Sequence, residues 1–195
     1  MLVLASTSAT RRAMLEAAGI AVDVVPSRVD EESAKASLRA QGLDARDLAD
    51  ALAELKALKV SNARPADCIL GCDQTLVLDD GTILDKPDDN LFTQLRALSG
   101  KRHRLHSAVV AVERGQPIWR HVETVTLTMR PLSDEFIVDY VAREGAMVAG
   151  CVGGYRIEGF GVQLFSRIEG SHFAILGLPL LPLLEWLRAR GTIPA

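Results

Sequence analysis

Two charged residues, Asp73 and Lys86, stand next to apolar runs in the stretch Cys68–Pro87, which reads CILGCDQTLVLDDGTILDKP. The first run, 69–71, leads to Asp73; after a second run, 76–78, and an Asp-Asp-Gly turn, a short apolar segment leads to Lys86. We predict strands that deliver a carboxylate and a lysine at their ends. Asp73 could activate water or hold a metal, and Lys86 could hold a phosphate. Alternatively, Asp73 caps a turn and Lys86 is a solvated charge.

A hydroxyl-rich turn, Ser6–Ser8, separates a predicted apolar strand from a predicted helix. The N-terminus of a helix presents unpaired N–H groups and a partial positive charge. Arg11 and Arg12 stand in the first turn, where their charges oppose the helix dipole. A bound anion would remove this conflict, and phosphate is the obvious candidate. The alternative is that Ser8 is only an N-cap and that both arginines are surface residues.

Lys56 lies at the edge of the apolar face of a helix predicted over 44–62. A lysine in this place can reach past the core into a cleft, or it can extend to solvent. Earlier in the chain, a loop predicted over 26–32 carries three consecutive carboxylates at Asp30–Glu32. Such a run is usually solvated, but one of its members could be an oxygen ligand for a hard divalent cation.

A glycine-rich segment, AGCVGGYRIEGFG at 149–161, contains one internal carboxylate, Glu158. Glycines allow the backbone to approach a ligand closely, although the segment matches neither the Walker phosphate loop nor the dinucleotide fingerprint. The alternative is a flexible surface loop. His103 and His106 are spaced by three residues on a predicted strand, which places them on opposite faces, so we do not interpret them as a metal pair.

These residues are carried by alternating strands and helices, followed by two long paired strands and further helices. We predict helices at 9–18, 44–62, 88–98 and 133–144 and after Pro179, and strands at 2–5, 21–25, 69–71, 76–78, 101–112, 117–129 and 162–168. This order predicts a single α/β domain over 1–195, with an elongated mixed central sheet flanked by helices, and two lobes with a cleft.

The composition argues against several classes of function. The formal net charge is −3 and the sequence pI is about 5.8, so the basic excess typical of proteins that coat nucleic acid or anionic membranes is absent. The apolar run at the start of the chain is too short for a signal peptide or a membrane span. Three cysteines without metal-like spacing fit free thiols in a reducing compartment. We therefore expect a cytoplasmic protein without a nucleic-acid or membrane partner.

Taken together, these segments resemble the Maf family of nucleoside triphosphate pyrophosphatases along nearly the whole chain. The order and spacing of the motifs, rather than any one of them, carry the resemblance: LASTSATRR at 4–12, VDEES at 29–33, LAELKA at 52–57, GCDQT at 71–75, DKP at 85–87, LSGKRH at 98–103, YRIEGFG at 155–161, and IEG with GLPL between 168 and 180.

The resemblance implies a fold similar to the inosine triphosphate pyrophosphatases, with the site in a cleft between two lobes. It implies a house-cleaning enzyme that cleaves the bond between the α- and β-phosphates of a nucleoside triphosphate, depends on a divalent cation (Mg²⁺ or Mn²⁺) and forms a cytoplasmic homodimer. Carried onto matching positions, it makes Asp73 the proton acceptor and Glu31 a metal or water contact. The phosphate contacts it implies are Ser8, Arg12, Lys56 and Lys86.

The charge of the substrate supports this interpretation independently. A triphosphate carries about four negative charges, so several cations must converge on it, and Arg11 joins the implied phosphate contacts on this ground. The metal neutralises further charge, and both Glu31 and Asp73 are candidate metal ligands. Asp73 needs only to be ionised and within hydrogen-bond reach of the attacking water.

Three residues bear on the preferred base. Gln74 after Asp73 and Glu158 in the late segment resemble the family branch that acts on 7-methyl-GTP rather than the branch that prefers pyrimidines. A carboxylate at Glu158 can accept both donors on one edge of guanine. Thr10 stands where that branch often has an aromatic residue, which would favour a cationic methylated base; Phe160 or Tyr155 would have to substitute for it.

Three alternatives remain open at this stage: the same chemistry on dTTP or UTP, a non-catalytic regulator of cell division that acts through a protein partner, and a phosphatase of the haloacid dehalogenase type. A phosphatase of this type requires a second carboxylate two residues after its nucleophile, and this chain has Thr75 at that position.

Overall fold

The computed structural model of the chain describes residues 1–87 and 90–194. It contains a seven-stranded sheet with the order β2-β1-β3-β5-β6-β7, and β4 pairs with β3. The strands are β1 (Leu2–Ala5), β2 (Asp23–Val24), β3 (Cys68–Leu78), β4 (Ile83–Leu84), β5 (Arg102–Glu113), β6 (Gln116–Met129) and β7 (Phe165–Glu169). Because β1 pairs in parallel with β2 and β3, while β4 and β7 pair antiparallel to β3 and β6, the predicted mixed sheet is confirmed.

Seven α-helices and one 3-10 helix accompany the sheet within the described residues. The helices are α1 (Ala9–Ala17), α2 (Glu31–Ala40), α3 (Ala45–Ala63), α4 (Leu91–Leu98), α5 (Asp134–Val148), α6 (His172–Ile175) and α7 (Leu180–Ala189), and the 3-10 helix spans Phe160–Leu164. Side chains of Ser8, Asp44 and Ser133 cap α1, α3 and α5 by accepting a backbone N–H three residues later. Throughout the described parts of the chain, no helix is both long and apolar enough to cross a membrane.

The chain divides into two compact units. Unit 1 contains Met1–Gln74, His106–Glu123 and the chain from Ser171, and unit 2 contains Thr75–Leu105 and Thr124–Gly170. The boundaries fall inside β3, β5 and β6. The expectations of a single domain and of a cleft remain predictions.

Unit 1 has an apolar layer on each face of its part of the sheet. On one face, residues of β1, β3 and β5 pack with small side chains of α3, such as Ala49, Ala53 and Ala57. On the other face, Leu4, Leu70 and neighbouring residues pack with α1 and α7 through side chains that include Met14, Leu15, Leu183 and Leu187. Because side chains alternate along a strand, neighbouring residues of β3 belong to different layers.

Unit 2 has its own buried residues. Tyr140 of α5 is fully buried and donates a hydrogen bond from its hydroxyl to the carbonyl of Gly154, at 3.2 Å. His103 of β5 is also fully buried, with its Nε2 2.7 Å from the hydroxyl of Tyr155. These contacts attach the glycine-rich segment to α5 and β5.

Several local predictions were wrong. Asp73 does not follow a strand but lies inside β3, an uninterrupted strand of 11 residues. The loop predicted over 26–32 ends at Asp30, which caps α2, so Glu31 and Glu32 are the first residues of a helix. Carboxylates in the first turn of a helix are favoured by its dipole, which explains why the acidic run forms a helix.

Other boundaries shifted. The first residues of the helix predicted over 88–98 lie outside the described residues, and α4 begins at Leu91. The strand predicted over 162–168 is a 3-10 helix up to Leu164 and a strand only from Phe165. The sequence did not predict α2 or α6.

Candidate active site

The close approach of α3 to β3 places the central residues of the site. A Cβ atom added to Gly71 would lie 2.0 Å from the carbonyl oxygen of Ala53 and 2.8 Å from the nitrogen of Ala57, so only glycine fits between strand and helix. Asp73 stands two residues later on the same face of β3. The side chain of Asp73 therefore points toward α3, the helix that carries Lys56.

Asp73 and Lys56 form a buried ion pair. The Nζ atom of Lys56 donates to Oδ1 of Asp73 at 2.6 Å, and the two residues are 6% and 5% exposed. Lys56 Nζ also lies 3.0 Å from Oε1 of Glu31, at the start of α2. One ammonium group thus joins two carboxylates from different elements. Lys56 is buried rather than extended to solvent, and its reach into a cleft and its phosphate contact remain predictions.

The second oxygen of Asp73 is the chemically available atom of this cluster. Oδ2 is buried and has no hydrogen-bond partner among the described residues. A buried carboxylate oxygen without a partner is unfavourable unless a ligand, water or ion satisfies it. Oδ2 can accept a proton from a water molecule, or it can coordinate a cation.

The donor set fits a hard divalent cation. Mg²⁺ binds oxygen atoms, and in enzymes it commonly takes one or two carboxylates together with waters and substrate phosphates. Glu31 and Asp73 supply two carboxylates that share Lys56, and Oδ2 of Asp73 is the unsatisfied oxygen. Within 1–87 and 90–194, no three His, Cys, Asp or Glu residues are grouped closely enough to hold a metal by themselves.

The thiol next to Asp73 is not a second candidate for the chemistry. Cys72 is fully buried, and burial raises the pKa of its thiol to about 11 in spite of the opposing charges of Arg11 and Lys56. A nucleophilic cysteine needs its thiolate form. The thiol of Cys72 is therefore held in its less reactive protonated form.

The N-terminus of α1 shows how its polar residues are used. The Oγ atom of Ser8 accepts from the backbone N–H of Arg11 at 3.3 Å, so Ser8 is the N-cap. Arg12 is exposed and pairs with Glu16 one turn later, at 2.7 Å. Thr10 is exposed. The phosphate contacts assigned to Ser8 and Arg12 and the base contact assigned to Thr10 remain predictions.

Arg11 points into unit 1 rather than to solvent. Its Nε donates to the carbonyl of Gly177 at 2.8 Å, and its Nη1 donates to Oγ of Ser6 and to the carbonyl of Cys72, both at 3.3 Å. The planar guanidinium thus binds three acceptors, which belong to the residue after β1, to β3 and to the turn after α6. Its phosphate contact also remains a prediction.

Gln74 is likewise held by groups of unit 1. Its Nε2 lies 2.8 Å from Oγ of Ser107, 3.0 Å from the carbonyl of Ala174 and 3.1 Å from the carbonyl of Ile175. The side chain of Ser107 also donates to Ala174, at 2.6 Å. Gln74 therefore faces β5 and α6, and its role in base preference remains a prediction.

Lys86 and Glu158 belong to unit 2. Both side chains are exposed, Lys86 after β4 and Glu158 in a turn of the glycine-rich segment. Both charges act on the thiol of Cys151. Burial raises the pKa of this thiol, the negative charge of Glu158 raises the pKa further, and the positive charge of Lys86 lowers it. Lys86 and Glu158 therefore lie near the same side chain of unit 2.

The two aromatic residues considered for a methylated base differ in accessibility. Tyr155 is buried and packs edge-on against Phe165, with burial raising the pKa of its hydroxyl. Phe160 is half-buried and stacks on Phe136 at 5.9 Å between ring centroids. Arg143 lies over its ring, at 4.8 Å. Phe160 is thus the more accessible of the two.

Sequence reasoning missed several residues that shape the site. Gly71, Ser107 and Gly177 contribute close packing or hydrogen bonds to Asp73, Gln74 and Arg11. Gly71 carried a usable signal, because a glycine inside an apolar strand often marks a close approach of another backbone. Ser107 and Gly177 carried none, since their partners are distant in the chain.

Comparisons with known proteins find one family and many relatives. The family model described as Maf-like protein matches residues 1–190. A protein of Sphingopyxis alaskensis named nucleoside triphosphate pyrophosphatase is 51% identical over 195 residues, covering 99% of this chain and 98% of its own length. A protein of the same name from Hyphomonas neptunium is 52% identical over 193 residues, covering 98% of this chain and 96% of its own length.

A third relative bears a more specific name. The protein named 7-methyl-GTP pyrophosphatase from Mesorhizobium japonicum is 48% identical over 194 residues, covering 98% of this chain and 97% of its own length. Among solved structures, a crystal structure of a nucleoside-triphosphatase, dITP/XTP pyrophosphatase, from Mycobacterium abscessus aligns with a TM-score of 0.45 and 16% identity, covering 97% of this chain and 96% of that chain. A likeness this low carries no argument.

Proposed function

Because the chain belongs to the Maf-like protein family, we propose that it is a nucleoside triphosphate pyrophosphatase that hydrolyses the bond between the α- and β-phosphates and releases a nucleoside monophosphate and pyrophosphate. The observation that carries this proposal is the state of Asp73. One oxygen of its buried carboxylate is bound by Lys56, and the other has no partner in the described part of the chain. The oxygen without a partner can accept a proton.

Asp73 is the proposed general base. Lys56 donates to Oδ1, which orients the carboxylate and leaves Oδ2 as the acceptor for a proton of the attacking water. The water oxygen forms a bond to the α-phosphorus while the bond from that phosphorus to the α–β bridging oxygen breaks, so that pyrophosphate leaves with the bridging oxygen and Asp73 takes the proton of the water. Groups that act as a base in this way contribute about 10²–10⁴-fold to the rate.

Glu31 and Asp73 are the proposed ligands of Mg²⁺ or Mn²⁺. Bound there, the cation would neutralise part of the charge of the triphosphate and polarise its oxygens. Lys56 keeps the two carboxylates close together, since its ammonium lies within 3.0 Å of both. The same ammonium, with Ser8, Arg12 and Lys86, is proposed to contact the phosphates. Arg12 is exposed, so it can exchange Glu16 for a phosphate at little cost.

We propose a guanine-type base, including a methylated one, as the preferred substrate. Support comes from the relative named 7-methyl-GTP pyrophosphatase and from the exposed carboxylate of Glu158. An ionised carboxylate only accepts hydrogen bonds, which suits the two donors on the guanine edge. Gln74, whose amide nitrogen has three acceptors within unit 1, is the weaker candidate for reading the base.

We further propose that the enzyme acts in the cytoplasm as a homodimer, without nucleic acid or membrane. The acidic sequence pI of about 5.8 supports the proposal that the protein does not bind nucleic acid.

Pyrophosphate release from a panel of canonical and modified triphosphates, each with Mg²⁺ and with Mn²⁺, tests the function. We predict that Asp73→Asn lowers kcat by about 10²–10⁴-fold but leaves triphosphate binding largely intact, because the amide keeps the shape and loses the base. Asp79→Asn is the matched control, since Asp79 is a more exposed carboxylate that pairs with Arg102.

Three results would contradict the proposal. Turnover of Asp73→Asn within a few-fold of the wild type would remove Asp73 from the catalytic role. Release of orthophosphate alone would indicate a phosphatase, and no turnover of any triphosphate would favour a non-catalytic regulator.

A further inference from the structure

The segment Ala174–Gly177, which we call the α6 turn, contains the last two residues of α6 and the turn after them, and it receives hydrogen bonds from Arg11 and from Gln74, the residue after the proposed base Asp73. Arg11 binds the carbonyl of Gly177 and also the carbonyl of Cys72, the residue before Asp73. Gln74, the residue after Asp73, donates to the carbonyls of Ala174 and Ile175. β3 is therefore tied to this segment on both sides of Asp73, through Arg11 at the backbone carbonyl of Cys72 and through the side chain of Gln74.

The side of Arg11 is built for its carbonyl acceptors. Gly177 adopts a φ of +91°, a conformation that L side chains rarely adopt, and a Cβ atom there would lie 3.2 Å from Nε and Nη2 of Arg11. The conformation of the α6 turn thus favours glycine, and an added methyl group would press against the guanidinium. The backbone N–H of Arg11 also binds the cap Ser8, so the contact connects α1, β3 and the α6 turn.

The side of Gln74 is built in the same way. Ser107 of β5 donates to the carbonyl of Ala174 at 2.6 Å and accepts from Gln74 at 2.8 Å. Ser107 is fully buried, and Ala174 is fully buried as well. A buried polar network in which each donor has an acceptor fixes the relative position of its elements.

We propose that Arg11 and Gln74 are positioning residues that hold Asp73 in register with Lys56, Arg11 by binding the carbonyl of Cys72 and Gln74 by binding Ala174–Gly177 through its side chain. This inference rests on the proposed function of Asp73 as general base. The Nε and Nη1 of Arg11 bind protein acceptors, and the amide nitrogen of Gln74 binds β5 and α6. Alternation along the strand turns Asp73 toward α3 while Gln74 turns toward α6.

The variants Arg11→Lys, Gly177→Ala and their double variant separate positioning from phosphate contact. A lysine keeps the charge that a phosphate needs but cannot bind three separated acceptors with one planar fork. We expect Arg11→Lys and Gly177→Ala each to lower kcat by roughly 10- to 100-fold with little change in KM, because misplacement of a catalytic group acts on the chemical step. The double variant should be no slower than the slower single variant, since both changes break one contact.

Kinetic outcomes can overturn the inference. A rise in KM with unchanged kcat for Arg11→Lys would show that Arg11 contacts the phosphates. Multiplicative losses in the double variant would show that Arg11 and Gly177 act separately. For Gln74→Met, which keeps the size and loses the donor, we expect the same loss in kcat on GTP and UTP; a change confined to one base would assign Gln74 to base reading.

Hydrogen exchange of the ligand-free protein gives a readout that does not depend on activity. We expect Arg11→Lys to increase exchange at least tenfold in peptides that cover 72–76 and 172–178, with Arg188→Lys, a change at an exposed arginine of α7, as the matched control. Unchanged exchange in both peptides would overturn the inference. If the wild type released no pyrophosphate from any triphosphate, the proposed function would fail, and the exchange result would still decide whether Arg11 fixes the α6 turn.

Discussion

At the scale of single residues, the unusual feature is one lysine shared by two carboxylates in a mostly buried place. Removing one partner of a buried ion pair leaves the other charge without compensation, and this costs more than the pair itself contributes. Lys56 and Asp73 are both at least nine-tenths buried, whereas Glu31 is partly exposed. Asp73 therefore depends on Lys56 much more than Glu31 does.

We predict that Lys56→Met lowers the free energy of unfolding by about 3–5 kcal/mol and that adding Asp73→Asn recovers a large part of the loss, because the second change removes the unpaired charge. Urea unfolding at pH 7 measures both effects. Lys59→Met is the control, since Lys59 lies one turn later on α3, is exposed and binds the carbonyl of Arg28. Equal costs for Lys56→Met and Lys59→Met would contradict the importance of the buried pair.

A second residue-scale prediction concerns the base. Glu158→Gln should shift the ratio of kcat/KM values from GTP and 7-methyl-GTP toward UTP and dTTP by roughly 5- to 150-fold, because glutamine can both donate and accept and so matches the imide edge of uracil or thymine. Steady-state kinetics on the four triphosphates measure the shift, and Glu135→Gln, at an exposed position of α5, is the control. Unchanged ratios would remove Glu158 from base reading.

The sequence predicted part of this chemistry and not the rest. Asp73 and Lys56 were recognisable because each is a charged residue at the edge of an apolar pattern. The surroundings of Arg11 were not, because its partners are backbone carbonyls 61 and 166 residues away in the chain. Side-chain identity says nothing about which distant carbonyl a donor will meet.

At the scale of elements, the contact of α3 with β3 decides whether the ion pair can form. Three alanines of α3, at 49, 53 and 57, present a smooth surface to the strand, and Gly71 allows the helix backbone to touch it. Lys56 can then bridge the short remaining distance to Asp73. Any residue larger than glycine at 71 must push the helix away from the strand.

We predict that Gly71→Ala destabilises the protein by about 1–3 kcal/mol and lowers kcat by at least tenfold, because the added methyl group overpacks the contact and separates Lys56 from Asp73. Thermal unfolding and pyrophosphate release measure the two effects. Gly150→Ala is the matched control, since a Cβ atom there meets no atom within 4 Å in the described structure. A stable and fully active Gly71→Ala variant would contradict the role of the close approach.

Most elements could be predicted from periodicity and caps, and the exceptions have physical causes. Polar residues at 73–75 made β3 look like two strands, but inside the protein Lys56 pairs with Asp73 and Gln74 donates to Ser107. The acidic run at 30–32 was interpreted as a loop, yet Asp30 caps α2 by accepting from the N–H of Ser33 at 3.1 Å. Tertiary partners and capping override composition in both cases.

At the scale of the whole molecule, the sequence predicted two lobes but not where the two units meet along the chain. Three of the boundaries lie within β3, β5 and β6, where no glycine or proline marks them, and the fourth lies at Gly170. The mixed α/β class could be predicted because it depends only on the order of the elements. The position at which a long strand passes from one core to another depends on contacts with residues that are distant in the chain.

His103, a buried residue of unit 2, should make the free energy of unfolding depend on pH in the acidic range. Burial lowers the pKa of His103 to about 4 from an ordinary value of 6.5. The folded state therefore prefers the neutral ring, and the resulting stability is fully present above pH 6.5 and is lost as the pH falls toward 4. We predict that His103→Gln reduces the loss of unfolding free energy between pH 7 and pH 5 by about 2 kcal/mol.

Urea unfolding of the wild type and of His103→Gln at both pH values measures this difference, with His121→Gln as the control at a half-buried histidine of unit 1. Glutamine is neutral at both pH values, so it removes the titration at this position. The same pH dependence in wild type and variant would show that His103 does not govern acid stability.

The weak attachment of α2 has a consequence for the lifetime of the protein. None of its ten residues, all of which the structure describes, is buried, although its first residue binds Lys56. A helix with so little buried surface opens at a fraction of the cost of global unfolding. We expect trypsin-like proteases to cut at Lys35 or Arg39 in this open form, and the chain would then lose its hold on Glu31 while the rest of the protein is still folded. Under the role proposed for Glu31, catalytic competence would be lost on degradation before the folded core.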